Sequence, residues 1–136
     1  MFRRIGLITR QGDDNVRAVL NRLIAQLDAR GCELAFDESC HALLGETCPA
    51  PPPDYHLGER EDLVIAVGGD GTMLGAARHL FRFRHVRLLG INLGRLGFLT
   101  DLTPDLLPEG LDAVLDGAFT EEERFFLHAA VIRDGE

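Results

Sequence analysis

The stretch Leu63-Val64-Ile65-Ala66-Val67 constrains the fold most. It is apolar at every position, without the alternation of a strand that has one wet face. It therefore reads as a strand buried on both sides. Upstream, Arg4 to Thr9 reads as a short strand on Ile5, Leu7 and Ile8. Val16, Val19, Leu20, Leu23, Ile24 and Leu27 then recur at helical spacing, which predicts a long amphipathic helix. Asp13 or Asp14 is placed to cap its start, and Gly31 stands where a terminating glycine belongs. Cys32 to Phe36 is a second strand. Strand, helix and strand at this spacing form a βαβ unit, so the expected fold is α/β with a parallel sheet.

Downstream, the pattern predicts a helix over 72–83, a buried strand over 86–91 and a glycine-rich loop over 92–101. Thr103-Pro104 then opens a helix carrying Leu106, Leu107, Leu111, Val114 and Leu115. Pro108 lies in its first turns and moves the expected start later. Residues 45–58 carry three consecutive prolines, Pro51 to Pro53, which fit neither a central strand nor a helix interior. They read as a mobile surface loop, either a linker or a flap near a site. From Glu123 to Arg133 the chain turns β-rich and runs into Asp134-Gly135, a hairpin signal. The expected organisation is an α/β domain over 1–120 and, over 121–136, the first strand of a β-rich domain whose remainder lies beyond Glu136.

Charge and composition exclude several functions. The net charge of −8 argues against general nucleic-acid binding. All 14 cations are Arg, so a Walker A loop and Schiff-base catalysis are both excluded within these residues. Phosphate, if handled here, must meet backbone amides, Arg or a metal. No apolar stretch reaches the ~20 residues of a membrane span, and no signal peptide is read at the start. Cys32, Cys40 and Cys48 match neither a zinc pattern nor a disulfide framework. Reduced thiols, two of them packed, and a cytoplasmic location are expected.

Three features carry chemistry. Gly68-Gly69-Asp70-Gly71-Thr72 follows the central strand and opens a helix. A strand-to-helix turn of a parallel sheet lies at the carboxyl edge, where ligands bind. Glycines let backbone approach a phosphate, and the helix N-terminus attracts an anion. Asp70 would repel that anion unless it binds magnesium or takes a proton from an attacking hydroxyl. A plain tight turn capped by Asp is the bland alternative, but three glycines are more than such a turn needs. Second, 73–100 contains no Asp or Glu but holds Arg78, Arg82, Arg84, Arg87 and Arg95, a local basic zone able to steer a nucleotide. A solvated helix face fits Arg82 and Arg84 better, while Arg78 is open to both readings. Third, Asn92, Leu93, Gly94, Gly97, Phe98 and Leu99 lie in a loop that again follows a strand. The residues alone leave open whether it contacts an adenosine or merely packs on itself.

Taken together, Gly68 to Arg78 and, some twenty residues on, the Asn-Leu-Gly-x-Leu-Gly-Phe-Leu element from Asn92 to Leu99 resemble the bacterial NAD kinase family. Arg124-Phe125-Phe126-Leu127 is similar to that family's first strand after the crossover. The Gly-Gly-Asp-Gly-Thr element is shared with lipid kinases and resembles the phosphofructokinase version; the Asn92–Leu99 element is the specific one.

The resemblance implies a three-layer, Rossmann-like domain of the phosphofructokinase-like kind. It implies phosphorylation of the adenosine ribose 2′-hydroxyl of NAD by ATP, with magnesium, to give NADP. Asp70 is then the base or hydroxyl-orienting group. Gly68, Gly69, Gly71 and Thr72 hold phosphate, and the 92–99 loop lines the adenosine pocket with Phe98 in contact. Gly75 stands where many members carry a basic residue, and Arg78 is the expected compensation. The family's Asn-Glu and Gly-Ser-Thr-Ala-Tyr motifs have no counterpart before Glu136. Residues 1–136 alone are accordingly expected to be inactive, and the full-length protein to be a dimer or tetramer. The alternatives are a lipid kinase of the diacylglycerol or sphingosine type and a nucleotide-binding module without catalysis.

Overall fold

The computed structural model describes residues 2–94 and 101–118. The Gly97, Phe98 and Leu99 expectations, and the β-rich tail, lie outside the described residues. Among the described residues four parallel strands form one sheet: β1 (Arg4–Thr9), β2 (Glu33–Phe36), β3 (Leu63–Gly68) and β4 (Arg87–Asn92), in the order β2-β1-β3-β4. Every residue of β3 is buried, as its unbroken apolar run requires for a central strand covered on both faces.

Side chains of alternate parity along each strand build two cores. Ile5, Leu7, Leu63, Ile65, Val67, Leu89 and Ile91 face one side. There they meet Val19, Leu20, Leu23 and Leu27 of helix α1 (Asp14–Ala29) and Leu107, Leu111 and Leu115 of helix α4 (Leu107–Leu115). Val64 and Ala66 face the opposite side and pack with Met73, Ala76 and Leu80 of helix α3 (Asp70–Leu80) and with Leu57. The result is three layers, helix on sheet on helix.

The helix ends follow local chemistry. Asp13 caps α1, its carboxylate accepting from the Asn15 and Val16 amides. These bonds hold its pKa below the ordinary value. Gly31 follows at φ +76°, the left-handed conformation that favours glycine. Thr103-Pro104 opens a 3-10 turn, and α4 begins only at Leu107, as Pro108 foretold.

Residues 49–56 form an irregular, largely exposed surface loop, as the prolines lead one to expect, held at its ends by buried Cys48 and Leu57. A short helix α2 (Glu38–Leu44), unexpected from the sequence, runs into a 3-10 turn at Gly45–Thr47. Cys48 is then buried in the α1-side core, whereas Leu57 is buried on the α3 side. The proline segment therefore passes around the β2 edge from one face to the other. Tyr55 ties it down by donating its hydroxyl to Glu61 at 2.6 and 2.5 Å, and the Gly58 amide donates to the same carboxylate at 2.7 Å. Prolines beside an outer strand offer no N–H for further pairing, which protects that edge. The Tyr55–Glu61 anchor precedes β3, at the amino edge of the sheet, so this segment is not a flap over the glycine turn.

Candidate functional site at the carboxyl edge of the sheet

The chain forms β1 and β2 in one direction and then places β3 and β4 on the other side of β1. The order reverses between β1 and β3, and the crevice beyond their carboxyl ends is the place where open α/β sheets bind ligands. Gly68 is the last residue of β3, and Gly69 is the N-cap of α3 with φ −142° and ψ −160°. Among the described residues no side chain caps this helix, and the N-terminal end of a helix dipole attracts an anion. Among the described residues, a Cβ on Gly69 or Gly71 would meet no heavy atom within 4 Å, so the turn is open on that side. A Cβ on Gly68 would collide with Thr72, the Cβ of which lies 2.8 Å away. Gly68 is thus required by close approach inside the turn, and Gly69 and Gly71 leave its outer surface open.

Asp70 is the first residue of α3, in partial contact with solvent. The helix therefore starts two residues before the expected 72 and ends three before 83. With that start, Arg78 falls in the last turn of α3, exposed and about 12 Å along the axis from Asp70 at about 1.5 Å per residue. No heavy atom of the described residues lies within 4 Å of a Cβ on Gly75.

Strand register brings the second loop beside the first. Gly68 pairs with Asn92 at the ends of β3 and β4, and the Leu93 amide donates to the Gly68 carbonyl at 2.8 Å. Asn92 is buried, and its side-chain carbonyl accepts the Gly94 amide at 3.0 Å. A Cβ on Gly94 would likewise meet no heavy atom of the described residues within 4 Å. Asn92, Leu93 and Gly94 thus flank the Gly68–Thr72 turn.

The sequence reading missed the β1 side of the crevice. Thr9, buried at the end of β1, donates its hydroxyl to the Arg10 carbonyl at 3.2 Å, and its amide donates to the Ser39 hydroxyl at 3.1 Å. Ser39 in turn donates to Asp37 at 2.7 Å. The Arg10 amide donates to the Val67 carbonyl at 3.0 Å, which sets exposed Arg10 beside the start of the glycine turn. The polar run after Ile8 was the available signal, but only the sheet order shows that it borders the switch point. A concavity of about 330 Å³ lined by Arg4, Glu33, Tyr55 and Glu61 lies at the other, amino edge, away from these groups.

Comparison with known proteins agrees with the geometry. Residues 5–119 match the family model described as ATP-NAD kinase N-terminal domain. The chain is 47% identical over 135 residues to an NAD kinase of Shewanella oneidensis, covering 99% of this chain and 46% of that protein. It is 46% identical over 134 residues to one of Chromohalobacter salexigens, covering 98% of this chain and 45% of the relative. The chain thus spans about half the length of the curated relatives it matches.

Among solved structures, a yeast NADH kinase complexed with NADH superposes with a TM-score of 0.70 at 17% identity, covering 85% of this chain and 38% of the other. An NAD kinase from Archaeoglobus fulgidus in complex with ATP gives 0.56 at 22%, covering 84% and 37%. These two share the fold. No comparison favours the lipid-kinase alternative. No helix among the described residues is long and apolar enough to cross a membrane. The chain belongs to the ATP-NAD kinase family, as its N-terminal domain.

Proposed function

We propose that the full-length protein is an NAD kinase, transferring the ATP γ-phosphoryl group to the adenosine ribose 2′-hydroxyl of NAD. The observation that carries this is the register of β3 and β4: Gly68 opposite Asn92, with Asp70 in the next turn. That pairing puts an acid, a phosphate-sized glycine turn and a second open loop within one carboxyl edge. Phosphoryl transfer asks a protein for positioning and charge neutralisation above all.

In this mechanism Gly68, Gly69, Gly71 and Thr72 receive phosphate on backbone amides and a hydroxyl. Asp70 orients the ribose hydroxyl and accepts its proton as the new P–O bond forms and the bond from Pγ to the bridging oxygen breaks, releasing ADP. Asn92, Leu93, Gly94, Gly97, Phe98 and Leu99 hold the adenosine. Arg78, a helix length from Asp70, contributes by long-range attraction of the nucleotide. Magnesium bound with ATP would neutralise phosphate charge, and the Thr72 hydroxyl is the oxygen donor of the turn that would help hold it, leaving Asp70 as the proton acceptor. A cytoplasmic location and a dimeric or tetrameric state complete the proposal.

The test is NADP formation from NAD and magnesium-ATP. The full-length protein should produce it, and residues 1–136 alone should not. Robust NADP formation by the 136-residue chain, or none by the full-length protein, contradicts the proposal.

A further inference from the structure

We propose that Asp101 is a positioning residue for dinucleotide binding, an inference that rests on the NAD kinase reading above. β4 is an outer strand of the sheet among the described residues, so its far edge needs partners for its backbone groups. Asp101 supplies them at Gly90, two residues before Asn92. Its carboxylate accepts the Gly90 amide at 2.9 Å, and its own amide donates back to the Gly90 carbonyl at 2.9 Å. The Leu102 amide donates to the same carbonyl at 3.0 Å. The Leu102 carbonyl then accepts the Asn92 amide at 2.7 Å, closing a parallel bridge between Ile91 and Leu102.

The carboxylate–amide bond is charge-assisted and stronger than a neutral one. Its consequence is geometric. Gly90 is held on one side by β3 and on the other by Asp101, so the strand end that follows has one position. From that end Leu93 reaches Gly68, and Asn92 folds the chain back onto Gly94. Leu102 is itself wedged against α4: a Cβ on Gly110 would come within 2.6 Å of its Cδ2 atom. Asp101 therefore ties the second loop to both the sheet and α4, and places Asn92, Leu93 and Gly94 at a set distance from the glycine turn. It stays on the far side of β4 from that turn, so its effect falls on binding more than on the chemical step.

Steady-state NADP formation by the full-length protein tests this with Asp101→Ala and Asp101→Asn. Asp101→Ala should raise KM for NAD about tenfold, the order expected for one charge-assisted hydrogen bond, with kcat changed by less than about threefold. Asp101→Asn keeps a side-chain acceptor for the Gly90 amide and should recover most of the lost affinity. Should Asp101→Ala fail to fold, Asp101→Ser, too short to reach that amide, carries the same expectation. An unmoved KM in the Ala or Ser variant overturns the inference. So does an Asn variant no better than Ala, or a parallel loss of kcat and thermal stability. NADP formation by the wild type with an unmoved variant KM sinks this inference alone; no NADP from the wild type sinks the NAD kinase reading and this inference together.

Discussion

Cys40 shows how far one side chain is committed to the interior. Its thiol donates to the Leu7 carbonyl at 3.2 Å, and burial is the main cause pushing its pKa up from 9.0 to about 12. Tyr55 behaves alike: burial first, then its bond to Glu61, takes it from 10.0 to about 12. Both groups favour the neutral form in the folded state, so their stabilisation is complete below the unfolded values. It is lost as pH rises, from about 9 for Cys40 and about 10 for Tyr55, up to about 12. Urea unfolding at pH 8 and pH 11 should show a lower unfolding free energy at pH 11; equal values contradict the assignment. At pH 8 iodoacetamide should leave Cys40 unmodified in the native chain and alkylate it in urea, as read by mass spectrometry. Of the three cysteines, Cys40 and Cys48 are the two in packed positions.

Helices were legible in proportion to their length and the clarity of their ends. The start of α1 could be read because Asp13 is a side-chain cap and its apolar stripe repeats over four turns. α2 has only seven residues, too few for periodicity to show, and a single buried position, Cys40. The sequence pattern sets the start of α3 late, because Gly-Asp-Gly resembles a turn in isolation. Its neighbours make Asp70 helical, with the Met73 amide already bonded to the Gly69 carbonyl at 3.0 Å. α4 and the 3-10 turn before it contrast a buried position with an exposed one. Leu111 is fully buried whereas Leu106, just before the helix, is 49% exposed. Leu111→Ala should cost about 2–5 kcal/mol of stability. Leu106→Ala should stay within about 0.5 kcal/mol. Thermal melts of the two variants check the difference, and similar losses would contradict the placement of α4 against the sheet.

At the scale of the molecule, the glycine turn was legible because its chemistry is local: three glycines and an acid between a strand and a helix. The crevice was not, because strand order is a tertiary fact. Nothing in Thr9-Arg10 alone shows that they lie beside Val67, and nothing in Asp101 alone shows that it grips Gly90. The lack of Lys likewise acquires its meaning only in three dimensions, where backbone, hydroxyl and carboxylate gather at one edge.

The central claim is that Asp70 at this edge promotes phosphoryl transfer to a ribose hydroxyl. Steady-state kinetics of the full-length protein with Asp70→Asn test it most directly. General-base assistance is worth about 10²- to 10⁴-fold, so kcat for NADP formation should fall by that factor while the affinities for NAD and ATP stay within about threefold. A kcat equal to that of the wild type would contradict the claim.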